Sequence, residues 1–210
     1  MSLISLDKIQ ASIKSGQEQL SYNSRTLKFT LLDFWRWSAS DILSNATRGV
    51  LAEFIVATAT NIDITKVRDE WSAFDLITPG GIKLEIKSAA YLQSWFQRSF
   101  STISFSTKLA RHWDSATNIQ SAIAQRHADV YVFCLLKHED KTTVDPLNLD
   151  HWDFYVLATQ ELNNYKRSQH SITLKSLKGL TTAIGYDKLD KEIVLKHSLN
   201  QQSEEYSKTC

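Results

Sequence analysis

Apolar residues recur at helical spacing in two stretches near the amino-terminal end of the chain. Residues 3–20 carry the first stretch and residues 44–61 carry the second. The apolar stripe of the second stretch consists of Val50, Leu51, Phe54, Ile55 and Thr58. A weaker helical pattern covers residues 114–127, and the segment QELNNYKR further along favours a short helix. The periodicity therefore predicts four helices.

Strands are indicated by two β-rich runs and by one segment in which apolar and polar residues alternate. The runs cover residues 128–136 and 151–159, and a polar stretch that contains Pro146 separates them. The alternating segment, AFDLITPGGIKLEIKSAAY, is typical of a β-hairpin. A helix, a hairpin, a helix and two strands in this order predict a mixed α/β domain rather than a helical bundle or a β-sandwich.

The alternation within the hairpin also predicts how its two strands pair. Even-numbered positions from Phe74 to Ile86 are mostly apolar, whereas the odd-numbered positions are mostly charged. Both strands keep their even positions on the core side only if the loop has an odd number of residues, as the loop 79–81 has. In that register Asp75 lies directly opposite Glu85, with Cβ atoms roughly 5 Å apart.

Asp75 and Glu85 would form a pair of opposed carboxylates, which destabilises two paired strands unless solvent, a cation or a function compensates. Mg²⁺ is usually held by one or two carboxylates together with waters and substrate phosphates. Lys87, on the same face, could orient a water or offset charge on a phosphate. Glu53 lies near the apolar stripe of a predicted helix, where an unpaired carboxylate is costly to bury. A helix packed beside the hairpin would bring Glu53 to the metal directly or through water.

In this order the four residues resemble the PD-(D/E)xK nucleases, the restriction-endonuclease-like superfamily. The pattern of that superfamily is a helix glutamate, an aspartate at a strand end, and Glu-x-Lys on the paired strand. It is matched by Glu53, Asp75, and Glu85 with Lys87. The stretches RGVLAEFIVA and FDLITPGGIKLEIKSAAYLQSW are most similar to a bacterial branch of nuclease-like proteins, and the resemblance covers about residues 44–159.

The resemblance implies a fold, a reaction and a set of residue roles. The fold is an α/β restriction-endonuclease-like core, in which helices flank a central mixed β-sheet. The reaction is Mg²⁺-dependent hydrolysis of phosphodiester bonds, with Mn²⁺ able to substitute. Asp75 and Glu85 would ligate the metal together with the Ile86 carbonyl. Lys87 would position the attacking water, and Glu53 would serve as a further ligand or as a base.

Three other positions gain a meaning from the same resemblance. Phe74 stands where the name-giving proline would be, and since that proline contributes no ligand, the departure barely weakens the predicted chemistry. Gln93 follows Lys87 at a distance where some relatives place an active-site glutamine. Arg48, one helical turn before Glu53, could contact a phosphate or pair with Glu53 as an ordinary helix-edge charge.

Residues 87–127 combine basic and aromatic side chains, as a groove for nucleic acid requires. Five basic residues stand against one acid, and the basic ones are Lys87, Arg98, Lys108, Arg111 and Arg126. The aromatic residues are Tyr91, Trp95, Phe96, Phe100, Phe105 and Trp113. We expect most of these rings, and the cluster LLDFWRW at residues 31–37, to pack in the core. Contacts to nucleic acid are expected from Arg48, Arg98, Lys108 and Arg111.

Composition sets only broad limits on these predictions. With 210 residues, 42% hydrophobic and 22% charged, the chain has the size of one domain, and a net charge of +1 gives no general attraction to nucleic acid. We expect a helical extension over residues 1–40 packed on the core, a restriction-endonuclease-like domain over residues 41–200 and a polar, frayed tail over residues 201–210. The two cysteines, Cys134 and Cys210, cannot form a disulfide framework or a zinc knuckle.

Function stays open between three classes of protein. The first is a Mg²⁺-dependent nuclease, an endonuclease rather than an exonuclease, that acts on DNA in restriction, repair or defence. The second is a binding or scaffold module that keeps the acids without turnover, and the third is a structural protein with surface acids. The four intact residues favour the first class. We expect a cytoplasmic protein with no membrane partner, and a homodimer is plausible for cutting both strands.

Overall fold

The elements of the fold lie within residues 5–209, which the computed structural model describes, with side chains as far as residue 201. The strands of this part are β1 (Gln19–Tyr22), β2 (Arg25–Thr30), β3 (Leu76–Ile77), β4 (Lys83–Ala90), β5 (Ser104–Ser106), β6 (Trp113–Asp114), β7 (Ile119–Gln120), β8 (Val130–Leu136), β9 (Trp152–Ala158) and β10 (Ser171–Thr173). The helices are α1 (Leu31–Ala39), α2 (Asn45–Ala59), α3 (Thr159–Asn163), α4 (Leu174–Lys178) and α5 (Leu189–Thr209).

A four-stranded mixed sheet with the order β3-β4-β8-β9 forms the centre of the protein. Strands β4 and β8 run parallel, in a register that pairs Leu84 with Val130 and Ala90 with Leu136. The other two neighbouring pairs are antiparallel. Every residue of β8 is buried, as is usual for an interior strand covered on both faces. The predicted mixed α/β fold, with a central mixed sheet flanked by helices, is confirmed.

Each face of the sheet packs against a separate apolar cluster. Helices α2 and α5 cover one face, where they bury Ala52, Ile55, Val56, Leu189 and Ile193 against Leu84 and Ile86. On the other face, α3, α4 and the β5-β10 pair contribute Leu162, Leu177, Phe105 and Ile172. Burial of apolar area on both faces is the main stabilising contribution in such a layered domain.

Several predicted elements form close to their expected bounds. Helix α2 occupies residues 45–59 of the predicted 44–61, and β8 and β9 each start one or two residues inside their predicted runs. The hairpin forms as β3 and β4, and a short helix, α3, follows β9. These elements are the ones for which periodicity and turn residues agree.

The expected helix over residues 3–20 is wrong in the part that the structure describes. Residues 5–18 contain no helix, and Gln19 begins strand β1, which pairs with β2. The apolar residues Leu6 and Ile9 are exposed, so the helical spacing has no apolar surface against which to pack. An isolated short helix is marginal in water without such packing. Residues 1–4 lie outside the described residues.

The weak helical pattern over residues 114–127 also gives no helix. Strands β6 and β7 form a small hairpin there, and the Asn118 N–H donates to the Asp114 carbonyl at 2.8 Å. Asn118 has a φ of 59°, and the Asp114 carboxylate accepts from the Ala116 N–H at 2.8 Å. Aspartate and asparagine favour such turns, and here this local preference outweighs the apolar periodicity.

Aromatic residues that were expected in the core lie largely on the surface. Helix α1, which carries most of the cluster LLDFWRW, has no buried residue, and Trp37 is 85% exposed. Trp95, Phe96 and Phe100 are exposed as well, whereas Phe105 is buried. The stripe of α2 is partly wrong for the same reason, because Val50 and Phe54 face solvent. The apolar character of these side chains did not indicate which faces of the helices pack against another element.

The polar tail expected over residues 201–210 is helical as far as it is described. Helix α5 continues to Thr209, and Cys210 lies outside the described residues. Cys134 is buried in β8, and burial raises the pKa of its thiol, in agreement with an inert cysteine. Within the described part of the chain, no helix is both long and apolar enough to cross a membrane.

Candidate active site

The loop between β3 and β4 sets the register of β4, which carries Glu85, against the strand that follows Asp75. Gly81, at φ 83°, donates its N–H to the Thr78 carbonyl at 2.9 Å, and the Thr78 N–H donates to the Ile82 carbonyl at 3.0 Å. The strands then pair residues 76 with 84 and 77 with 83, which confirms the predicted register. Asp75 departs from this register, because its N–H donates to the carbonyl of Leu84, the partner of Leu76, so the predicted cross-strand pair of Asp75 with Glu85 does not form.

Asp75 immediately precedes strand β3, and its side chain takes over a backbone role. The Asp75 N–H donates to the Leu84 carbonyl at 3.0 Å, and the Asp75 Oδ2 accepts from the Ile86 N–H at 2.7 Å. A backbone carbonyl of a continuing strand would otherwise accept that N–H. The Asp75 carboxylate is therefore fixed against the open edge of β4.

Phe74 departs from the predicted alternation at the same point. Its ring packs with the apolar cluster on the far face of the sheet from Leu84, and the Lys83 Nζ lies 5.7 Å from the ring centroid. The expectation that Phe74 shares the core face of the even-numbered residues is therefore wrong. The reason is the backbone irregularity at Asp75, which turns the chain by one position relative to β4.

The Ile86 carbonyl is directed toward the same open edge. In a strand, the N–H and C=O of one residue point to the same side, and the Ile86 N–H points to Asp75. Since β3 extends only from Leu76 to Ile77, no backbone donor of that strand faces this carbonyl. The Asp75 carboxylate and the Ile86 carbonyl thus lie on the same edge of β4.

Glu85 and Lys87 form an ion pair on the face of β4 that the sequence predicted. The Lys87 Nζ donates to the Glu85 Oε1, and both side chains are partly buried. Burial raises the pKa of the Glu85 carboxyl above its ordinary value, the Lys87 charge opposes this, and the negative charges of Asp75 and Glu53 add to it. A nearby cation would therefore stabilise the ionised form of this carboxyl group.

Glu53 of α2 pairs with Arg68, a residue that no sequence pattern singled out. The Arg68 Nη2 donates to the Glu53 Oε1 at 2.9 Å, and the Arg68 Nε donates to the Glu53 Oε2. The hydrogen bond to Glu53 raises the pKa of Arg68 against the effect of burial, and the charges of Asp75 and Glu70 contribute. The expected alternative, a pair between Glu53 and Arg48, is wrong.

Arg68 could not be found from the spacing of residues. It lies in the irregular segment between α2 and β3, among other charged residues and without any periodicity. The only available signal is indirect, because a glutamate near the apolar side of a helix requires a cation from somewhere in the fold.

Arg48 and Gln93 meet on the other side of β4. Arg48 is almost fully buried and donates to the Leu43 carbonyl, Asn45 Oδ1, Ser88 Oγ and Gln93 Oε1 at 2.7–3.3 Å. Gln93 donates in turn to the Ala90 carbonyl and the Ser101 Oγ. Ser88 alternates with Lys87 along the strand and so faces α2. The two side chains line a cleft of about 280 Å³, and their hydrogen bonds tie α2 to the chain that follows β4.

Two carboxylates, rather than three, are available for a metal. The part of the chain that the structure describes has no group of three or more His, Cys, Asp or Glu arranged to hold a metal ion. Asp75 accepts from the Ile86 N–H and its charge acts on Glu85, while Glu53 is held by Arg68. Since Mg²⁺ commonly uses one or two carboxylates with waters and substrate phosphates, the donor chemistry of Asp75, Glu85 and the Ile86 carbonyl fits this ion.

Comparison with known proteins assigns the chain to a family. Residues 5–176 match the family model of bacteriophage T4 endonuclease IV, and this range is well over half of the 210 residues. The chain belongs to the bacteriophage T4 endonuclease IV family. No curated protein matches it. Membership of the T4 endonuclease IV family supports an enzyme that hydrolyses nucleic acid, so the prediction of a nuclease is confirmed at this level.

Of the four residues that were expected to contact nucleic acid in this T4 endonuclease IV family member, Arg48 is buried in the hydrogen bonds described above. Arg98, Lys108 and Arg111 are exposed, and within the described residues their side chains have no hydrogen-bond partner. Arg126, by contrast, is buried and donates to the Thr107 carbonyl, Asn163 and Gln169. Arg126 therefore stabilises the fold, while the three exposed residues are open to a phosphate backbone.

Proposed function

We propose that this member of the T4 endonuclease IV family is a Mg²⁺-dependent endonuclease that hydrolyses phosphodiester bonds of DNA at the open edge of β4. The single observation that carries the proposal is the placement of the Asp75 carboxylate, which is fixed on the Ile86 N–H at 2.7 Å beside Glu85 and Lys87. Mn²⁺ would replace Mg²⁺. We further infer a restriction-endonuclease-like core of the PD-(D/E)xK type and a role in restriction, repair or defence.

The order of elements supports this assignment. Helix α2 with Glu53 precedes the hairpin with Asp75 and Glu85, and β8 follows parallel to β4. This order agrees with the pattern of a helix glutamate, a strand-end aspartate and Glu-x-Lys on the paired strand. The family match supports a nuclease activity independently of the geometry of the site.

Each side chain has a task that its environment suits. A bound Mg²⁺ would polarise the phosphate and the attacking water. Asp75 and Glu85 would hold the cation, and Asp75 needs little reorganisation because the backbone of β4 already holds it. Lys87, which pairs with Glu85, lies where it would orient the water or bind the phosphate. Arg68 holds Glu53 ready as an outer carboxylate.

Cleavage assays with matched variants test the proposal. The substrates are labelled single- and double-stranded DNA, RNA of the same sequence, and closed circular DNA, each with Mg²⁺, Mn²⁺ or EDTA. Wild type cuts circular DNA only with a divalent ion, and Glu85→Gln and Lys87→Met each lose about a hundredfold or more in rate. Lys137→Met is the matched control, because Lys137 pairs with Asp153 at 2.7 Å on the surface.

Two other outcomes would contradict the proposal. Cutting that persists in EDTA or in Glu85→Gln would place the reaction elsewhere in the chain. Absence of cutting, together with a Mg²⁺-induced rise in melting temperature that Glu85→Gln abolishes, would favour the binding module without turnover, because a ligand of the native state must stabilise it.

A further inference from the structure

A second cleft, with a volume of about 380 Å³, lies beside the candidate active site. Residues 70–73 form one wall and lead through Phe74 into Asp75. The opposite wall consists of residues 110–113 and His127. This volume lies within the range of about 300–1,000 Å³ that small-ligand sites occupy. The cleft therefore has room for one ring system close to a candidate metal ligand.

Two tryptophans give the cleft an exposed aromatic lining. Trp71 is 60% exposed and Trp113 is 37% exposed, and their rings meet edge to face with centroids 5.4 Å apart. Large rings that remain in contact with water retain apolar area, which a stacked planar ligand would cover. Nucleobases are such ligands, and every base offers a face for stacking.

A hydrogen bond holds the Trp113 ring before any ligand binds, and another fixes the backbone of Trp71. The Trp113 Nε1 donates to the Asn118 Oδ1 at 2.9 Å, across the turn between β6 and β7. The Trp71 N–H donates to the Asp69 Oδ1 at 3.1 Å, and this bond fixes the backbone that carries the ring. A ligand therefore orders few groups when it binds, which favours affinity.

Charged groups at the cleft suit a nucleotide. Arg111 lines the cleft and is exposed, and an arginine can bind a phosphate with two parallel hydrogen bonds. Glu70, on the opposite wall, could accept from an amino group on a base edge. Glu70 and Asp75 both contribute to raising the pKa of Arg68, so the cleft wall and the carboxylate pair act on the same guanidinium.

We propose that this cleft binds one nucleobase of the nucleic-acid substrate next to the phosphodiester bond that is cut. The base stacks on Trp71, and Arg111 binds the adjoining phosphate. The inference rests on the proposed nuclease function and adds to it a subsite that contacts a base rather than the backbone alone. It also gives a role to two exposed tryptophans that the apolar core does not use.

Binding measured without cleavage tests the subsite separately from the reaction. A short labelled single-stranded oligodeoxynucleotide is titrated with protein in EDTA, and the same strand is prepared with one abasic position that is moved along it. Base–aromatic stacking of about 1–3 kcal/mol per base predicts that Trp71→Ala weakens binding at least about fivefold. Trp71→Phe retains most of the affinity, and Trp37→Ala on α1 retains all of it.

The abasic series adds a specific signature. When the abasic position falls in the cleft, wild type binds the strand more weakly. Trp71→Ala binds the abasic strand no more weakly than the intact one, because the two changes remove the same contact. Arg111→Ala gives a second variant, which weakens binding and reduces its dependence on salt.

Some results would overturn the subsite while leaving the nuclease intact. One is equal affinity of Trp71→Ala and wild type, and another is an abasic effect of the same size in both, in a protein that cuts DNA. The reverse result, binding that depends on Trp71 and on the base in a protein that cuts nothing, would uphold the subsite and contradict the nuclease function. Melting curves confirm that Trp71→Ala is folded.

Discussion

At the scale of single residues, the candidate site is a balance of five charges. Glu53, Asp75 and Glu85 stand against Arg68 and Lys87, so the site carries one net negative charge (3 − 2). Each cation is already paired with one acid, whereas Asp75 accepts the Ile86 N–H and interacts with Arg68 at longer range. The deficit of positive charge is what a divalent ion would correct.

The raised pKa of Glu85 predicts how metal binding depends on pH. The protonated carboxyl is a poor ligand, so affinity for Mn²⁺ falls as the pH drops through a value above that of an ordinary glutamate. Lys87→Met removes the charge that opposes this shift, and we expect its binding curve to move to higher pH. Titration calorimetry at a series of pH values measures both curves. An unchanged curve for Lys87→Met would contradict the prediction, and Lys137→Met serves as the control.

The stability of the metal-free protein should depend on pH because the pKa of Glu85 is raised on folding. A carboxyl whose pKa is raised on folding stabilises the native state below its unfolded-state pKa, and this contribution is lost as the pH rises through the folded-state value. Wild type should therefore lose stability relative to Glu85→Gln over that interval, as melting curves in EDTA would record.

Removal of Arg68 should destabilise the protein because Glu53 would stay buried without a cation. Breaking a fully buried pair costs about 3–5 kcal/mol, and since the Arg68 side chain is 36% exposed we expect about 1–3 kcal/mol for Arg68→Met. Chemical denaturation measures the loss in free energy of unfolding. The double variant Arg68→Met with Glu53→Gln should recover much of it, and a double variant as unstable as the single one would show that the charge is not the cause.

At the scale of elements, the hairpin of β3 and β4 places most residues of the candidate site. Its alternation and its three-residue loop fix the register locally, so the pairing of residue 76 with 84 and of 77 with 83 could be predicted from the residues alone. The bulge that turns Phe74 to the other face could not be predicted, since it depends on the Asp75 side chain replacing a backbone acceptor. Arg68 was missed for a similar reason, because its contact with α2 is tertiary.

Gly81 should be the most sensitive position of the loop. Its φ of 83° is unfavourable for any residue with a Cβ, so Gly81→Ala should cost about 1–2 kcal/mol and reduce metal affinity by loosening the carboxylate pair. Gly80→Ala is the matched control, since the added Cβ would meet only the Thr78 Oγ1 at 3.8 Å. Chemical denaturation and Mn²⁺ titration of the two variants measure the loss of stability and of metal affinity. Equal losses in Gly81→Ala and Gly80→Ala would contradict the role of φ.

At the scale of the whole molecule, the sheet separates two apolar clusters, and the site lies where β3 stops short at its edge. Periodicity predicted the strands and α2, whose apolar residues find partners on these two faces. It failed for residues 5–18 and for the rings of α1, because spacing describes a surface and not whether another element covers it. The exposure of Trp71 and Trp113 could not be predicted from spacing for the same reason, because it depends on how the chain folds.

Helix α5 has a practical consequence for anyone who trims the chain. The family match ends at residue 176, inside α4, yet Leu189 and Ile193 of α5 are fully inaccessible to water in the cluster that supports α2 and β4. A shortened gene that stops at the family boundary would remove the helix that packs on β9 and on the inner side of α2. The segment that matches the family and the smallest stable protein would then differ by a helix.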